Sequence, residues 1–505
     1  MTTKLTFATA TALGLLVGSA WAGDNNKSYI GQTGDQNEAS LTQSGDNNQI
    51  GKNDSTLGRA NQDGKFNIMT IVQSGDGNKA GVAGSNNLGI DQKARDNTLS
   101  IDQSGNNNTI TDVTQYGRAT GGAAANIDGN QVNIATFTQS SDGNTVNSVT
   151  QTGGVDAANT LIVNQAGSSG SNTVKRVSQT YSAPGAGNRG EIQQTGNSNL
   201  LGQGSNISHG LTQTGAANDA LITQSGNGNR IEMVTQSGKS NTADILQSGN
   251  SNAHYNISQT SDALTNGNTL VVTVTGDNNF VDHIIQNSSG AISGNEANII
   301  IAGFSNGDGN GVLSKGAGAS GAGSNDFEQY GSANVIGFEI TGTGDDNLFG
   351  IYQSGTGNTA EGIVISGDRN ELGIYQNGSY NDFALSTISG NDNNIGLRQL
   401  GDNNFATISI SGDFNGGGAF TGPAAVLGAG MQSGLILQDG LFNNVDLTIS
   451  GNGNQFAISQ LGDSNNVNGN VSGGSNSAVV VQAGNLNVAS FAQSGGTFNS
   501  VALNQ

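Results

Sequence analysis

The sequence contains no cysteine in its 505 residues. Disulfide bonds, thiol catalysis and cysteine-based metal sites are therefore excluded. Basic residues are also scarce. The sequence has 17 Lys and Arg against 38 Asp and Glu, which gives a net charge of −21. A protein that binds nucleic acid needs a basic surface, so this charge argues against nucleic acid as a partner.

Apolar residues are too few for a large hydrophobic core. Only 33% of the residues are hydrophobic and 5% are aromatic, whereas glycine occurs 80 times. Such a composition is typical of a disordered chain when no regular pattern accompanies it. The regular spacing described below instead predicts a folded, repetitive protein. Disorder is then an expectation only for the chain before it assembles.

The residues that enzymes use are not arranged for catalysis. His209, His254 and His283 are scattered without a shared spacing, whereas a catalytic triad needs a histidine held beside its serine. The glycine-rich stretches lack the lysine of a phosphate-binding loop. Stacked aspartates could supply paired carboxylates, but no aromatic-rich insertion resembles a sugar platform. We predict that the protein is not an enzyme and has no catalytic residue, cofactor or metal.

Long apolar stretches are absent outside the N-terminus. Lys4 precedes an apolar run from Leu5 to Gly18, and Ala20-Trp21-Ala22 has the pattern of a cleavage site. This order of features predicts a secretion signal peptide over residues 1–22. The run is too short for a transmembrane segment, so we expect no membrane span.

The most informative feature is an internal repeat, which is clearest from Gln213 to Gln259. Glutamines there are spaced by 11, 12, 11 and 12 residues, so two units make about 23 residues. Each unit reads Gln-x-Gly-x-x-Asn and continues with residues that alternate in character. Alternation with a period of two predicts a β-strand, and the glycine predicts a sharp arc between strands. A fixed period over many units predicts stacking.

We therefore predict an all-β protein, a β-solenoid of stacked strand-arc-strand coils with about 23 residues per coil and a cross-β, amyloid-like arrangement. Each strand would pair in parallel with the equivalent strand one coil later, about 4.8 Å away. Stacking places like residues on like residues, so inward Gln and Asn amides can form hydrogen-bonded ladders. These ladders would supply the partners that buried amides require.

The predicted stacking positions are the Gln, Gly, Asn and Ala of the cleanest repeats. They are Gln213, Gly215, Asn218, Gln224, Gly226, Asn229, Gln236, Gly238, Asn241, Ala243, Gln247, Gln353, Gly355, Asn358, Gln376, Gly378, Asn381, Gln399, Gly401, Asn404, Gln482, Gly484, Asn487, Ala489 and Gln493. In the block 353–415, Ser366, Ser389 and Ser411 precede glycine in the alternate half-units. This pattern predicts that one half of each coil uses Gln and the other half uses Ser.

The repeat is predicted to extend over residues 23–505 and to be interrupted by stretches rich in Gly, Ala and Ser. These insertions lie near 118–130, 182–190, 287–325 and 416–430. They hold both prolines, Pro184 and Pro423. Proline cannot donate to a backbone ladder, so its confinement to the insertions supports the repeat. We expect the insertions to be loops that leave the arcs, or irregular coils.

Many aspartates follow the arc glycines. They are Asp35, Asp46, Asp76, Asp277, Asp368, Asp402, Asp413 and Asp463. Calcium binding is one interpretation, although the β-roll signature Gly-Gly-x-Gly-x-Asp does not occur. We favour the other, in which the arcs are solvated and their like charges repel on stacking, which slows premature assembly.

The unit Gln-x-Gly-x-x-Asn-x-Ala-x-x-x-Gln occurs in full at Gln236–Gln247 and Gln482–Gln493. It resembles the curlin repeat of bacterial curli fibres, and clean or degraded copies cover most of the chain after residue 22. The resemblance implies a secreted functional amyloid of the extracellular matrix and biofilm. It implies further copies of the chain, a nucleator subunit and an outer-membrane export pore as partners. Carried over by position, the stacking roles fall on Gln236, Gly238, Asn241, Ala243 and Gln247, and on Gln482, Gly484, Asn487, Ala489 and Gln493.

Two hypotheses for function follow. The first is a structural subunit of curli-like fibres that assembles end to end, because a terminal coil exposes unpaired backbone groups. We expect uncapped ends, since the repeat begins soon after Gly23 and reaches Gln505. The alternative is a monomeric secreted β-solenoid adhesin that binds a surface or glycan through its arcs or insertions.

Overall fold

The computed structural model contains two compact units, Met1–Asn250 and Ser251–Gln505. It describes residues 15–16, 23–52, 60–82, 89–117, 133–154, 158–167, 170–182, 185–202, 209–262, 266–288, 293–307, 325–384 and 386–505. Of the predicted signal peptide it describes only Leu15–Leu16, which pair in parallel with Ala39 and Ser40. Cleavage after residue 22 stays a prediction.

The first unit is built from strands that contribute to two parallel sheets. Its strands are β1 (Leu15–Leu16), β2 (Lys27–Ser28), β3 (Ile30–Thr33), β4 (Glu38–Gln43), β5 (Gln49–Ile50), β6 (Ala60–Lys65), β7 (Ile68–Gln73), β8 (Lys79–Ala80), β9 (Ile90–Arg95), β10 (Asn97–Gln103), β11 (Thr109–Tyr116), β12 (Asn133–Gln139), β13 (Thr145–Thr152), β14 (Asn159–Ala166), β15 (Thr173–Tyr181), β16 (Arg189–Asn197), β17 (Leu200–Leu201), β18 (Gly210–Ala216), β19 (Asp219–Asn227), β20 (Arg230–Lys239) and β21 (Thr242–Ser248). Its sheet A runs β1-β4-β7-β10-β12-β14-β16-β19-β21, and its sheet B holds the other strands.

The second unit repeats this plan within itself. Its elements are β22 (Ala253–Ser261), β23 (Thr269–Val274), β24 (Phe280–Ser288), β25 (Glu296–Ile301), β26 (Phe327–Ser332), β27 (Val335–Ile340), β28 (Leu348–Thr356), β29 (Thr359–Ser366), β30 (Glu371–Ser379), β31 (Asp382–Ala384), β32 (Thr387–Ser389), β33 (Asn394–Leu400), β34 (Phe405–Ser411), α1 (Gly422–Leu427), β35 (Leu435–Asp439), β36 (Asn444–Ser450), β37 (Gln455–Leu461), β38 (Asn466–Ser472), β39 (Ser477–Ala483), β40 (Val488–Gln493) and β41 (Ser500–Asn504). Sheet A of this unit runs β23-β25-β27-β29-β31/β32-β34-β36-β38-β40, and sheet B runs β22-β24-β26-β28-β30-β33-β35-β37-β39-β41.

Alternating side chains explain why these segments form strands with one buried face. In β28, Phe349, Ile351 and Gln353 are buried, whereas Tyr352 and Ser354 are partly exposed. Successive residues of a strand point to opposite faces, so this sequence gives one inward and one outward row. The inward rows of the two sheets pack on each other.

A phenylalanine cluster shows how the two sheets of the second unit meet. Phe327 and Phe349 come from sheet B and Phe338 from sheet A, with ring centroids 5.2–5.3 Å apart. Aromatic rings at this spacing attract one another beyond the burial of their area. The interior of each unit therefore lies between its sheets and is lined by aliphatic, aromatic and amide side chains.

The predicted β-solenoid is confirmed in each unit. One coil comprises a strand of sheet A and a strand of sheet B, and like residues pair with like residues in the next coil. Coils of the clean blocks have 23 residues, as between Gln353 and Gln376. Elsewhere the coil length ranges from 22 residues after Gln438 to 43 residues after Gln286. The register survives because the extra residues lie between strands in the sequence and not within them.

The predicted insertions differ in structure. Residues 118–130 and Pro184 lie outside the described residues. Strand β16 begins inside the stretch 182–190, and β25 lies inside 287–325, because Ala297, Ile299 and Ile301 supply a buried face. The stretch 416–430 contains α1, with a proline in its first turn, where a missing backbone N–H costs nothing.

Helix α1 packs against the last strands of sheet B. Thr421 Oγ1 lies 3.0 Å from Ser477 Oγ, and Ala424 N donates to Ser500 Oγ across 2.9 Å. These contacts tie the insertion to β39 and β41. In the described part of the chain α1 is the one helix, and its six residues cannot span a membrane.

A buried histidine interrupts the aliphatic interior of the second unit. His254 is 1% exposed, pairs in register with Val281, and has no hydrogen-bond partner for either ring nitrogen among the described residues. Burial disfavours the charged imidazolium and lowers the pKa of His254 from 6.5 to about 4. The folded unit therefore holds this side chain neutral at pH 7.

We expect His254 to make the second unit sensitive to acid. Its pKa is lower in the folded than in the unfolded chain. The free energy of unfolding is therefore not reduced by His254 above pH 6.5, and it falls as the pH drops from 6.5 towards 4. The full loss is about 3 kcal/mol. His254→Leu should remove this part of the pH dependence, measured as guanidinium unfolding midpoints from pH 7.5 to 4. The partly exposed His209 provides the control variant His209→Leu, and equal slopes for all three proteins would contradict the prediction.

Candidate functional site: amide ladders

Glutamine side chains form a hydrogen-bonded row along each sheet of the first unit. In sheet B, Gln213 Nε2 donates to Gln236 Oε1 across 2.8 Å, and in sheet A, Gln224 Nε2 donates to Gln247 Oε1 across 2.9 Å. The rows comprise Gln32, Gln62, Gln92, Gln115, Gln151, Gln179, Gln213 and Gln236 in sheet B, and Gln43, Gln73, Gln103, Gln139, Gln165, Gln194, Gln224 and Gln247 in sheet A.

The second unit has a glutamine row in sheet B. Gln353 Nε2 donates to Gln376 Oε1 and Gln376 Nε2 to Gln399 Oε1, both across 2.8 Å. The whole row comprises Gln259, Gln286, Gln329, Gln353, Gln376, Gln399, Gln438, Gln460, Gln482 and Gln505, with Nε2···Oε1 distances of 2.8–3.0 Å. In each bond the earlier coil donates and the later coil accepts.

Gln353 and Gln376 also connect the two sheets of the second unit. Gln376 Nε2 makes a second donation, across 2.8 Å, to the carbonyl of Thr359 at the start of β29 in sheet A. Gln353 Nε2 likewise donates to the carbonyl of Val335 in β27 across 2.9 Å. Both N–H groups of the amide are thereby satisfied, which removes the main cost of burying it.

Asparagines at the arc ends form rows with the opposite direction. Asn381 donates through both its backbone N and its Nδ2 to Asn358 Oδ1, each across 3.1 Å. Its Nδ2 also donates to the carbonyl of Gly401 across 2.8 Å. In the Asn–Asn bonds the later coil donates and the earlier coil accepts, whereas the bond to Gly401 runs from the earlier coil to the later one. Equivalent side-chain bonds involve Asn218, Asn241, Asn404 and Asn487. Asn229 donates through its backbone N to Asn199 Oδ1.

The arc glycines allow one backbone to lie directly on the next. All seven predicted glycines, Gly215, Gly226, Gly238, Gly355, Gly378, Gly401 and Gly484, have φ between 93° and 135°. A Cβ atom added to Gly378 would lie 1.9 Å from the carbonyl oxygen of Gly401. Glycine is required there both for its φ and for the close approach.

The predicted alanines and the last predicted glutamine occupy inward positions of sheet A. Ala243 is buried in register with Ala220, and Ala489 is buried in register with Val467. Gln493 pairs with Val471, and its Nε2 donates to the carbonyl of Ser477 across 3.4 Å. Gln493 therefore does not continue a glutamine row among the described residues.

The prediction that serine replaces glutamine in alternate half-coils is wrong. Ser366, Ser389 and Ser411 follow the inward position and are partly or fully exposed, whereas the residue before each of them is buried. An aliphatic row therefore stands in sheet A of the second unit where the first unit has glutamine. It comprises Val274, Ile301, Ile340, Ile365, Ile388, Ile410, Ile449 and Val471. If the half-units are aligned on their glycines, the aliphatic residue falls on the glutamine position, so the sequence itself contains the signal for this row.

Aspartates after the arc glycines accept hydrogen bonds from the preceding coil. Asp76 Oδ1 accepts from Asp46 N and Asp402 Oδ1 from Ser379 N, both across 2.7 Å. Asparagine takes the same role in other coils, as Asn391 Oδ1 accepts from Asp368 N across 2.8 Å. Where Asn takes the place of Asp in the next coil, that step has no repulsion between stacked carboxylates, whereas Asp46 and Asp76 are stacked aspartates. These aspartates thus take part in the stacking, which the spacing alone did not indicate.

The arcs at Arg369 and Asp392 carry opposite charges in successive coils. Arg369 Nε and Nη2 donate to the two carboxylate oxygens of Asp392, each across 2.8 Å. This bidentate contact lowers the pKa of the Asp392 carboxyl. Because the pair is exposed, it helps to align coils but contributes little to stability.

The first described coil contains a recognisable family pattern. Residues 22–50 match the family model described as curlin associated repeat. The chain carries a curlin repeat. In this match, Gln32 and Gln43 begin the two glutamine rows of the first unit, and Asn26 and Asn37 begin its asparagine rows. No curated protein matches the chain.

The curlin repeat thus corresponds to one coil of this solenoid. This arrangement presents the same kinds of hydrogen-bond donors and acceptors on the surface of each coil. The backbone of each strand, the glutamine amides and the asparagine amides all pair along the stacking direction. Any coil that lacks a neighbour on one side exposes a complete set of groups matched to a coil of the same kind.

We expect a break in a glutamine row to be more costly than a change in the aliphatic row. Gln376→Leu leaves Gln353 Nε2 without its ladder acceptor and Gln399 Oε1 without its donor, which should lower the free energy of unfolding by about 2–4 kcal/mol. Ile388→Leu in sheet A is the control and should cost less than about 1.5 kcal/mol. Denaturant unfolding of both variants measures the difference, and similar losses would contradict the role of the ladder.

We also expect the arc glycines to tolerate no side chain. Gly378→Ala should destabilise the chain by more than about 2 kcal/mol, because φ is 135° and the Cβ would overlap the Gly401 carbonyl. Gly337→Ala is the matched control, since its Cβ would meet no atom closer than 3.5 Å. Unfolding midpoints of the two variants give the comparison, and tolerance of Gly378→Ala would refute the stacked-arc explanation.

Proposed function

We propose that the protein is a secreted structural subunit of curli-like functional amyloid fibres and assembles by end-to-end templating of β-solenoid coils. Its role is structural and not enzymatic. The observation that carries the proposal is the directional match between coils. Each coil donates through Gln and accepts through Asn towards the later coil, and the later coil offers the complementary groups.

A second copy of the chain is the partner that this surface fits best. Backbone N–H and C=O groups on an unpaired strand already favour strand addition. The amide rows add side-chain selectivity, because only a coil with Gln and Asn at the same positions satisfies both ladders. The curlin repeat supports this proposal, since the match lies on a coil that contributes to all four polar rows of the first unit.

The proposal places the protein outside a bacterial cell, in the extracellular matrix or biofilm. The predicted signal peptide over residues 1–22 supports export. By resemblance to the curlin family, an outer-membrane pore would pass the chain and a nucleator subunit would start the fibre.

Seeded assembly tests the proposal. The chain is diluted from denaturant, and thioflavin T fluorescence is followed with and without preformed seeds. We expect a lag phase that seeds abolish, and reflections near 4.8 and 10 Å in aligned fibres. A soluble, β-rich monomer that seeds do not convert would overturn the proposal and favour an adhesin.

A pair of triple variants separates the ladder from general charge effects. Gln353→Glu, Gln376→Glu and Gln399→Glu together stack three carboxylates inside the second unit and should abolish seeded growth at pH 7. The control carries Thr448→Glu, Asn470→Glu and Ala492→Glu, which stack in register on an exposed face. Water and salt screen charges there, so the control should still assemble. Equal inhibition by both variants would show that charge, and not the ladder, controls assembly.

A further inference from the structure

Three side chains with metal-binding atoms converge on sheet B of the second unit. His283 Nδ1 lies 3.2 Å from Asp282 Oδ1 and 3.3 Å from Asp326 Oδ1. One ligand atom from each residue lies within 4.8 Å of the other two. Asp282 and His283 belong to β24, whereas Asp326 comes immediately before β26 in the next coil. The cluster therefore joins neighbouring coils across 43 residues of sequence.

Two of the three separations between these atoms match those in a metal coordination shell. Zinc binds His nitrogen and carboxylate oxygen at about 2.0–2.2 Å in tetrahedral geometry, which places ligand atoms about 3.3–3.5 Å apart. The two distances from His283 Nδ1 are close to this range. A borderline cation such as zinc accepts one imidazole nitrogen with two carboxylate oxygens, whereas calcium and magnesium prefer oxygen alone.

The backbone holds the three residues in place. Ile284 pairs in register with Phe327, so the residues that precede them, His283 and Asp326, lie side by side. His283 N donates to Asp326 Oδ1 across 3.1 Å, which orients the carboxylate. Asp326 is only 6% exposed, so its side chain has little freedom to turn away. Ligands fixed by secondary structure and outer hydrogen bonds are typical of metal sites.

The charge around the cluster favours a cation. Glu328 is partly buried on the same strand end and interacts electrostatically with Asp326 and His283. Among the described residues, no lysine or arginine forms an ion pair with Asp282, Asp326 or Glu328. A protonated His283 neutralises at most one of these three carboxylates. The site therefore keeps excess negative charge that a divalent cation would balance.

We propose that Asp282, His283 and Asp326 bind one divalent transition-metal cation of the zinc class and that this ion clips two neighbouring coils of the second unit together. Solvent completes the coordination shell. The site is independent of the proposed fibre function, since it requires only the folded second unit.

Zinc titration of the full chain tests the proposal. The chain is purified without a histidine tag, freed of metal with a chelating resin and titrated with zinc chloride by calorimetry. We expect one high-affinity site per chain, and His283→Gln and Asp326→Asn should each weaken it at least tenfold. His209→Gln in the first unit is the matched control and should bind zinc as the wild type does. Circular dichroism verifies that all variants keep their β-structure.

Two further measurements exclude simpler explanations. Zinc should raise the unfolding temperature of the wild type and of His209→Gln, but not of His283→Gln. Cobalt bound to the wild type should show the intense visible absorption of a four-coordinate site. Absence of high-affinity zinc binding, or equal binding by His283→Gln, would overturn the proposal and leave the cluster as an ion pair. Calcium binding of equal strength that does not depend on His283 would overturn the assignment to the zinc class.

Discussion

A hydrogen bond between identical side-chain amides in successive coils is the interaction on which the rest of the structure depends. A buried glutamine needs a donor and an acceptor, and in this chain both come from the glutamines above and below it. A shift of one residue would turn the row towards solvent and leave polar groups unpaired. The amides therefore fix the register, and the aliphatic residues beside them fill the interior.

The other features follow from this register. Coils that stack with like on like must also stack their arcs, so the arc backbone lies directly on the arc backbone below. Glycine occupies the first arc position, where φ is positive and no side chain fits. Residues in the left-handed backbone conformation, such as Tyr380 with φ of 58°, then turn the chain towards the next asparagine. Additional residues lie between strands in the sequence, which explains how one row can join coils of 22 and 43 residues.

Much of this architecture could be predicted from the sequence, because its determinants are local and repeated. The spacing of Gln, Gly and Asn identified strands, arcs and parallel stacking. The aliphatic row of the second unit was not predicted, because the serine that directly precedes the glycine was taken as the equivalent of glutamine. The equivalent position is one residue earlier, at Ile365. Helix α1 was missed because it lies in an insertion, where no period constrains the chain. The proximity of His283 and Asp326 depends on a 43-residue coil, which no local pattern reveals.

The opposed directions of the amide rows have an electrostatic consequence. An α-helix aligns its peptide dipoles and acquires a macrodipole with charged ends. In the first unit, the Gln–Gln bonds of two rows donate towards later coils, whereas the bonds to Asn Oδ1 donate towards earlier ones. Asparagine Nδ2 groups also donate to arc carbonyls of the later coil, as Asn229 does to Gly249, so the opposition is partial. The dipoles of the Gln–Gln bonds and of the bonds to Asn Oδ1 oppose each other, and the backbone groups of each strand alternate in direction. Polarisation along the stacking axis is therefore smaller than it would be if every amide row pointed the same way.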